Sequence, residues 1–197
     1  MHTTHSIFER TLADYFRQRL MALTENQSDS YHEDTLWYMG NMLARFGLRD
    51  QLYHYDKGEW QIRPLALLYK DALETPEPYQ RCLLLRHLGD MALFLCALFP
   101  ERYQRRGIRR DYFLGMGGGA YGYLSENAQQ NRHIFAELAN KFAALLNLVA
   151  QACAKQMPFD AKDVLRLYRS WMVSGDDSVA SQLQGLGISL PESGQVH

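Results

Sequence analysis

Apolar residues recur along most of this chain at alternating spacings of three and four. Phe8, Leu12, Tyr15, Phe16, Leu20 and Leu23 fall on one stripe, and Leu36, Met39, Leu43 and Phe46 on another. That period belongs to amphipathic helices with one face in a core. Ser6 with Glu9, and Ser30 with Glu33, match the S-x-x-E capping box and predict helix starts there. Gly47 stands where a C-terminal cap belongs, and "TENQSDS" between the two helices is turn material. The segment "LYHYDKGEWQI" fits two structures equally: a short hairpin over residues 52–62 with Gly58 at its turn, or an irregular loop anchored by its aromatic residues.

Further on, Pro64 suits the first turn of a helix over "LALLYKDALE", which Thr75 and Pro76 stop. A long helix over 79–99 follows Pro78 and ends at Pro100; it is apolar nearly all round, the mark of a central helix. "ERYQRRGIRRD" reads as a charged connector broken at Gly107. Between about 130 and 156, Phe135, Leu138, Phe142, Leu145, Val149 and Ala152 describe one amphipathic helix. Asp160 is placed to cap another, carrying Val164, Tyr168 and Trp171 up to Gly175, and Asp176 or Asp177 a last one closed by Gly187. The expected fold is all-α: a single-domain helical bundle, residues 1–190, of about seven to eight helices around the central helix 79–99, with a loose tail over 191–197.

Composition narrows the class. A chain of 197 residues, 47% hydrophobic and 22% charged, buries a single core without staples and is neither disordered nor fibrous. A net charge of −1 argues against bulk nucleic-acid binding and leaves a local patch open. Cys82, Cys96 and Cys153 have no C-x-x-C spacing, so free thiols in a reducing compartment are expected. "MHTTHSIFER" is no secretory leader, and Arg86, His87 and Asp90 interrupt the apolar stretch 82–99, which predicts a core helix and a cytoplasmic protein with no membrane span.

Five glycines fall within eight residues of "YFLGMGGGAYGYL" (112–124). No strand precedes them and no Lys-Ser/Thr follows, so a phosphate loop is disfavoured. Gly115 and Gly119, and Gly118 and Gly122, are four apart, a spacing that lets helix backbones approach closely. Each glycine weakens a helix by up to ~1 kcal/mol relative to alanine, so a compensating contact is expected, in the core or with a partner chain.

Chemistry-bearing residues are few. Arg86, His87 and Asp90 share a face of the central helix and read as a buried polar network, or alternatively as a His87–Asp90 acid–base dyad. His2, His5 and His197 are terminal, His32, His54 and His133 are scattered, and neither Glu-x-x-His nor H-E-x-x-H occurs, so neither metal nor cofactor is expected. Arg102, Arg105, Arg106, Arg109 and Arg110 lie within nine residues, beside Tyr103 and Tyr112. Guanidinium forks match carboxylate and phosphate, and their other reading is a solvated connector paired with Glu101 and Asp111.

Around "HLGDMALFLCALFPERYQRR" and "DYFLGMGGGAYGYLS" the chain resembles uncharacterised bacterial helical proteins, in which a Leu-Gly-Asp helix ending in Phe-Pro-Glu precedes a Met-Gly-x-x-Ala-Tyr segment. The resemblance covers about residues 35–190 and implies a bacterial, cytosolic, all-helical domain. It carries no activity and no functional residue across. The leading expectation is therefore a non-enzymatic regulatory or adaptor protein. It would bind a macromolecular partner, another protein or a second copy of itself, through Arg102, Arg105, Arg106, Arg109 and Arg110, with Gly115, Gly118, Gly119 and Gly122 shaping the adjacent contact. A small anionic ligand such as a nucleotide, or nucleic acid, is the second expectation, and an enzyme using His87 and Asp90 the third.

Overall fold

The computed structural model describes residues 2–25, 30–46, 54–56, 59–153, 161–185 and 188. Ten helices appear among them: α1 (His2–Thr24), α2 (Glu33–Phe46), α3 (Leu65–Glu74), α4 (Pro78–Leu98), α5 (Pro100–Gln104), α6 (Arg110–Asn127), α7 (Arg132–Asn140), α8 (Phe142–Ala152), α9 (Ala161–Ser174) and α10 (Asp177–Gly185). Strands β1 (His54–Asp56) and β2 (Glu59–Gln61) form an antiparallel hairpin in which Tyr55 faces Trp60 across the ladder. The all-α class stands, with more helices than the periodicity predicted.

The two additions have local causes. Lys141 leaves the helical region (φ −108°, ψ 18°) and splits the expected 130–156 helix into α7 and α8. Residues 100–104 of the supposed connector form the short α5, with Pro100 in its first turn, where a missing N–H costs nothing. Gly107, at φ +76°, then reverses the chain.

Helix α4 is the centre. Glu77 caps it, accepting the amides of Tyr79 (3.0 Å) and Gln80 (2.6 Å), and Pro78 occupies the first turn. Every residue from Leu88 to Cys96 is buried, because α2, α3, α6 and α8 surround it. Buried apolar side chains from Leu12 to Ile188 belong to one cluster.

Neither capping box works as predicted. Helix α1 already runs from His2, upstream of Ser6. Helix α2 begins at Glu33, three residues past Ser30, and its entry is fixed from a distance. The carboxylate of Glu137, on α7, accepts the His32 amide at 3.0 Å and the Lys141 ammonium at 3.0 Å. A carboxylate 105 positions away thus satisfies an amide that a capping box would satisfy locally. Gly47, Asp160, Gly187 and the tail 191–197 lie outside the described residues.

Three glycines allow close approach in the core: Gly40, where a Cβ would lie 2.9 Å from the Ala13 carbonyl of α1, Gly89 on α4 and Gly117 on α6. A Cβ on Gly89 would lie 2.8 Å from the Tyr121 ring, and one on Gly117 would fall inside the Phe142 ring and 3.0 Å from Ala92. Added Cβ atoms at Gly115, Gly118, Gly119 and Gly122 meet nothing within 4 Å. Alanine substitution is therefore expected to have opposite signs on the same helix. Gly119→Ala should stabilise by up to ~1 kcal/mol through helix propensity, and Gly117→Ala should destabilise by about 1–3 kcal/mol through overpacking. Urea titration of both variants checks this.

Candidate functional site

The arginine segment closes one end of α4. Tyr103 of α5 packs edge-on against Phe113 of α6, with ring centroids 5.1 Å apart, and the Ile108 amide donates to the Tyr103 carbonyl at 3.0 Å. These contacts fold the segment back on itself and leave all five arginines exposed. Arg102, Arg105 and Arg106 line an open cleft of about 690 Å³ that also takes in Phe99, Ala150 and Cys153. Arg109 and Arg110 line a neighbouring cleft of about 400 Å³ with Ile108, Phe113 and Asn147. Ala97, Pro100 and Ala150 belong to both clefts, so arginine rims a shared apolar floor.

Their intramolecular partners are weak. Arg105 approaches Glu101 at 3.7 Å and Arg109 approaches Asp111 at 3.6 Å, both with more than three-quarters of the side chain exposed. Pairs this open contribute about 0–1 kcal/mol. Arg110 donates to the Ala143 carbonyl (3.2 Å) and to Asn147 Oδ1 (3.1 Å) on α8. The guanidiniums of Arg102 and Arg106 have no partner among the described residues.

Residues 112–124 are helical throughout, within α6. Of the two contacts expected for their glycines, the core contact falls to Gly117, which the four-residue spacing did not single out. Gly115, Gly118, Gly119 and Gly122 form a bare strip along the opposite side. Being helical, their amides serve the helix ladder and present no anion cradle. Asp111, and with it Arg109, lies at the head of that strip.

Arg86, His87 and Asp90 do not act as a unit. Asp90 is 1% exposed, and its carboxylate is fully engaged. Oδ1 accepts the hydroxyls of Tyr38 (2.5 Å) and Tyr121 (2.8 Å), while Oδ2 accepts Arg45 Nη2 (2.8 Å). Arg86 joins indirectly, donating from Nε to the Tyr38 hydroxyl at 3.2 Å. Burial, then the adjacent carboxylate, raises both tyrosines well above their ordinary pKa, so they remain donors. His87 lies outside this network. Its ring is 6.1 Å from that of Phe46, and among the described residues it makes no hydrogen bond. A sealed carboxylate with every partner structural leaves the dyad no substrate access.

Sequence reasoning missed Tyr38, Arg45 and Tyr121. The available signal was physical: a carboxylate in an apolar helix needs donors, and tyrosines on core-facing stripes are the natural ones. Among the described residues no group of three or more histidine, cysteine or acidic side chains is placed to hold a metal ion, and no helix is long and apolar enough to cross a membrane. No known protein family matches the sequence, and neither a curated protein nor a solved structure matches the chain.

Two outcomes follow for this cluster. Asp90→Ala, which strands half-buried Arg45 and two buried phenols, should lower unfolding free energy by about 3 kcal/mol, read by urea titration. His87 has its pKa lowered from 6.5 by burial, against the pull of Asp90 and with the push of Arg45 and Arg63. The unfolded chain then binds the proton more readily. Stability held above pH 6.5 is lost as pH falls below it, and His87→Gln should flatten thermal midpoints on that acid side.

Proposed function

We propose that this chain is a non-enzymatic regulatory or adaptor protein that docks an acidic macromolecular partner at the arginine-rimmed end of α4. One observation carries the reading. Three guanidiniums, those of Arg102, Arg105 and Arg106, line an open apolar-floored cleft with Glu101 as the one carboxylate lining it among the described residues. In a chain of net charge −1 this is a local exception. Exposed arginines beside a small apolar depression are suited to a partner segment that sets one apolar side chain among carboxylates. The bare glycine strip of α6, headed by Arg109 and Asp111, extends the surface available to it.

A small anionic ligand such as a nucleotide is the second reading. It rests on the cleft of about 400 Å³ between Arg109, Arg110 and α8, a volume within the range of small-molecule sites. Its donors would be side chains alone, since the glycine amides are committed to the helix.

Replacing Arg105, Arg106, Arg109 and Arg110 together with serine is expected to abolish capture of acidic proteins from a native lysate, resolved by mass spectrometry. The thermal midpoint should barely move, because the pairs being removed are exposed. Identical capture by parent and variant removes the adaptor reading. A thermal-shift screen of nucleotides separates the second reading, since a ligand at a hundred times its Kd stabilises by about 2.7 kcal/mol.

A further inference from the structure

The opposite end of α4 holds a different kind of positive charge. Arg86 is half-buried, with its guanidinium carbon 5.1 Å from the centroid of the Tyr38 ring and its Nε committed to the Tyr38 hydroxyl. That hydroxyl is itself held by Asp90, so the guanidinium plane is oriented before any ligand arrives. Its terminal nitrogens have no protein acceptor among the described residues.

Charge in this cluster does not balance. Arg45 and Arg86 meet one carboxylate, Asp90, which is already paired with Arg45. One positive charge is left over in a half-buried place. The carboxylate of Glu77 is turned onto the amides that start α4. Arg132 adds a second cation nearby, held on the Ala128 carbonyl at 2.6 Å.

Arg86 lines a cavity of about 300 Å³. Tyr79, Leu83 and Phe135 supply apolar wall, and Asn127, Gln130 and Asn131 supply amide wall. Leu83 is 47% exposed and Tyr79 54%, large apolar side chains left open beside a single oriented guanidinium. We infer that this cavity binds a monocarboxylate with a short aromatic or branched apolar tail, its carboxylate forked onto Arg86 and its tail against Tyr79, Leu83 and Phe135. Guanidinium and carboxylate match in planar two-bond geometry. A monoanion matches the charge of Arg86, the one cation among the described residues that line the cavity. The volume, at the lower limit of small-molecule sites, holds such an acid and little more. The site is separate from the arginine-rimmed clefts, about 25 Å away along α4 at 1.5 Å per residue.

The same carboxylate reaches the cavity either as a free small acid or as the C-terminus of a peptide. Calorimetric titration of the full chain with 3-phenylpropanoate and with N-acetyl-alanyl-phenylalanine compares the two sources, and the corresponding primary amides are the neutral controls. At least one acid is expected to bind ten or more times tighter than its amide, and the tighter acid identifies the source. Arg86→Gln should weaken that binding at least tenfold. Because Arg86 also supports Tyr38, Leu83→Glu provides a second test. That substitution is at an exposed position and sets an internal carboxylate at the wall, and it should weaken the acid by a similar factor with the fold intact. Equal affinity for acid and amide, no heat from either acid, or undiminished binding by either variant overturns the assignment.

Discussion

The carboxylate of Asp90 is the constraint on which the rest of the structure depends. An unpaired charge in an apolar interior is prohibitively unfavourable, so burying this one requires that donors reach it from outside its own helix. They come from two neighbours of α4: Tyr38 and Arg45 from α2, and Tyr121 from α6. Apolar packing alone tolerates sliding and repacking, whereas three hydrogen bonds of 2.5–2.8 Å to one carboxylate do not. Helices α2, α4 and α6 are therefore held in one mutual register at the depth of Asp90.

The core glycines serve that register. Gly89 precedes Asp90, and the absence of its Cβ lets the Tyr121 ring lie flat enough on α4 for the phenol to reach the carboxylate. One turn earlier on α6, Gly117 opens the space that the Phe142 ring fills, and that ring in turn lies 6.0 Å from Tyr121. Phe135 stacks on the other side, at 6.1 Å and 17°. A polar contact that needs exact placement is thus supported by aromatic packing that small residues permit. Leu88-Gly89-Asp90 and Met116 to Tyr121 are the two stretches that meet here.

Local periodicity made most of this fold legible. The central α4 and the stops at Pro76 and Gly175 follow from interactions within a few residues. What escaped was nonlocal. Ser30 looked like a cap because its own neighbourhood offered one, yet the helix start is held by Glu137 across 105 residues. Gly115 and Gly119 advertised a packing face by their spacing, but spacing gives a stripe without saying which side of the helix meets the core. Phe142, Ala92 and Tyr121 decide that, and they favour Gly117 and Gly89. For the candidate sites, the exposed arginines were evident from their density alone. The Arg86 cavity was not, because its walls come from α4, α6, α7 and the turn over 128–131.

The two cationic ends of α4 obey different electrostatics. At the α5 end, guanidiniums stand in water, where counterions screen attraction beyond about 8–10 Å at physiological salt. Such charges steer an approaching partner and favour its arrival, and their effect fades as salt rises. At the other end, Arg86 is fixed against Tyr38 and partly withdrawn from solvent, so its attraction for a group in direct contact is less screened and stronger. The first arrangement selects by charge density over a surface, and the second by the shape of a single planar group. The Asp90 network lies between the two on the same helix. Hydrogen bonds join Arg86 to α6 through it: Arg86 Nε donates to the Tyr38 hydroxyl, which shares Asp90 Oδ1 with Tyr121 of α6, the helix that starts at Arg110 beside the cleft.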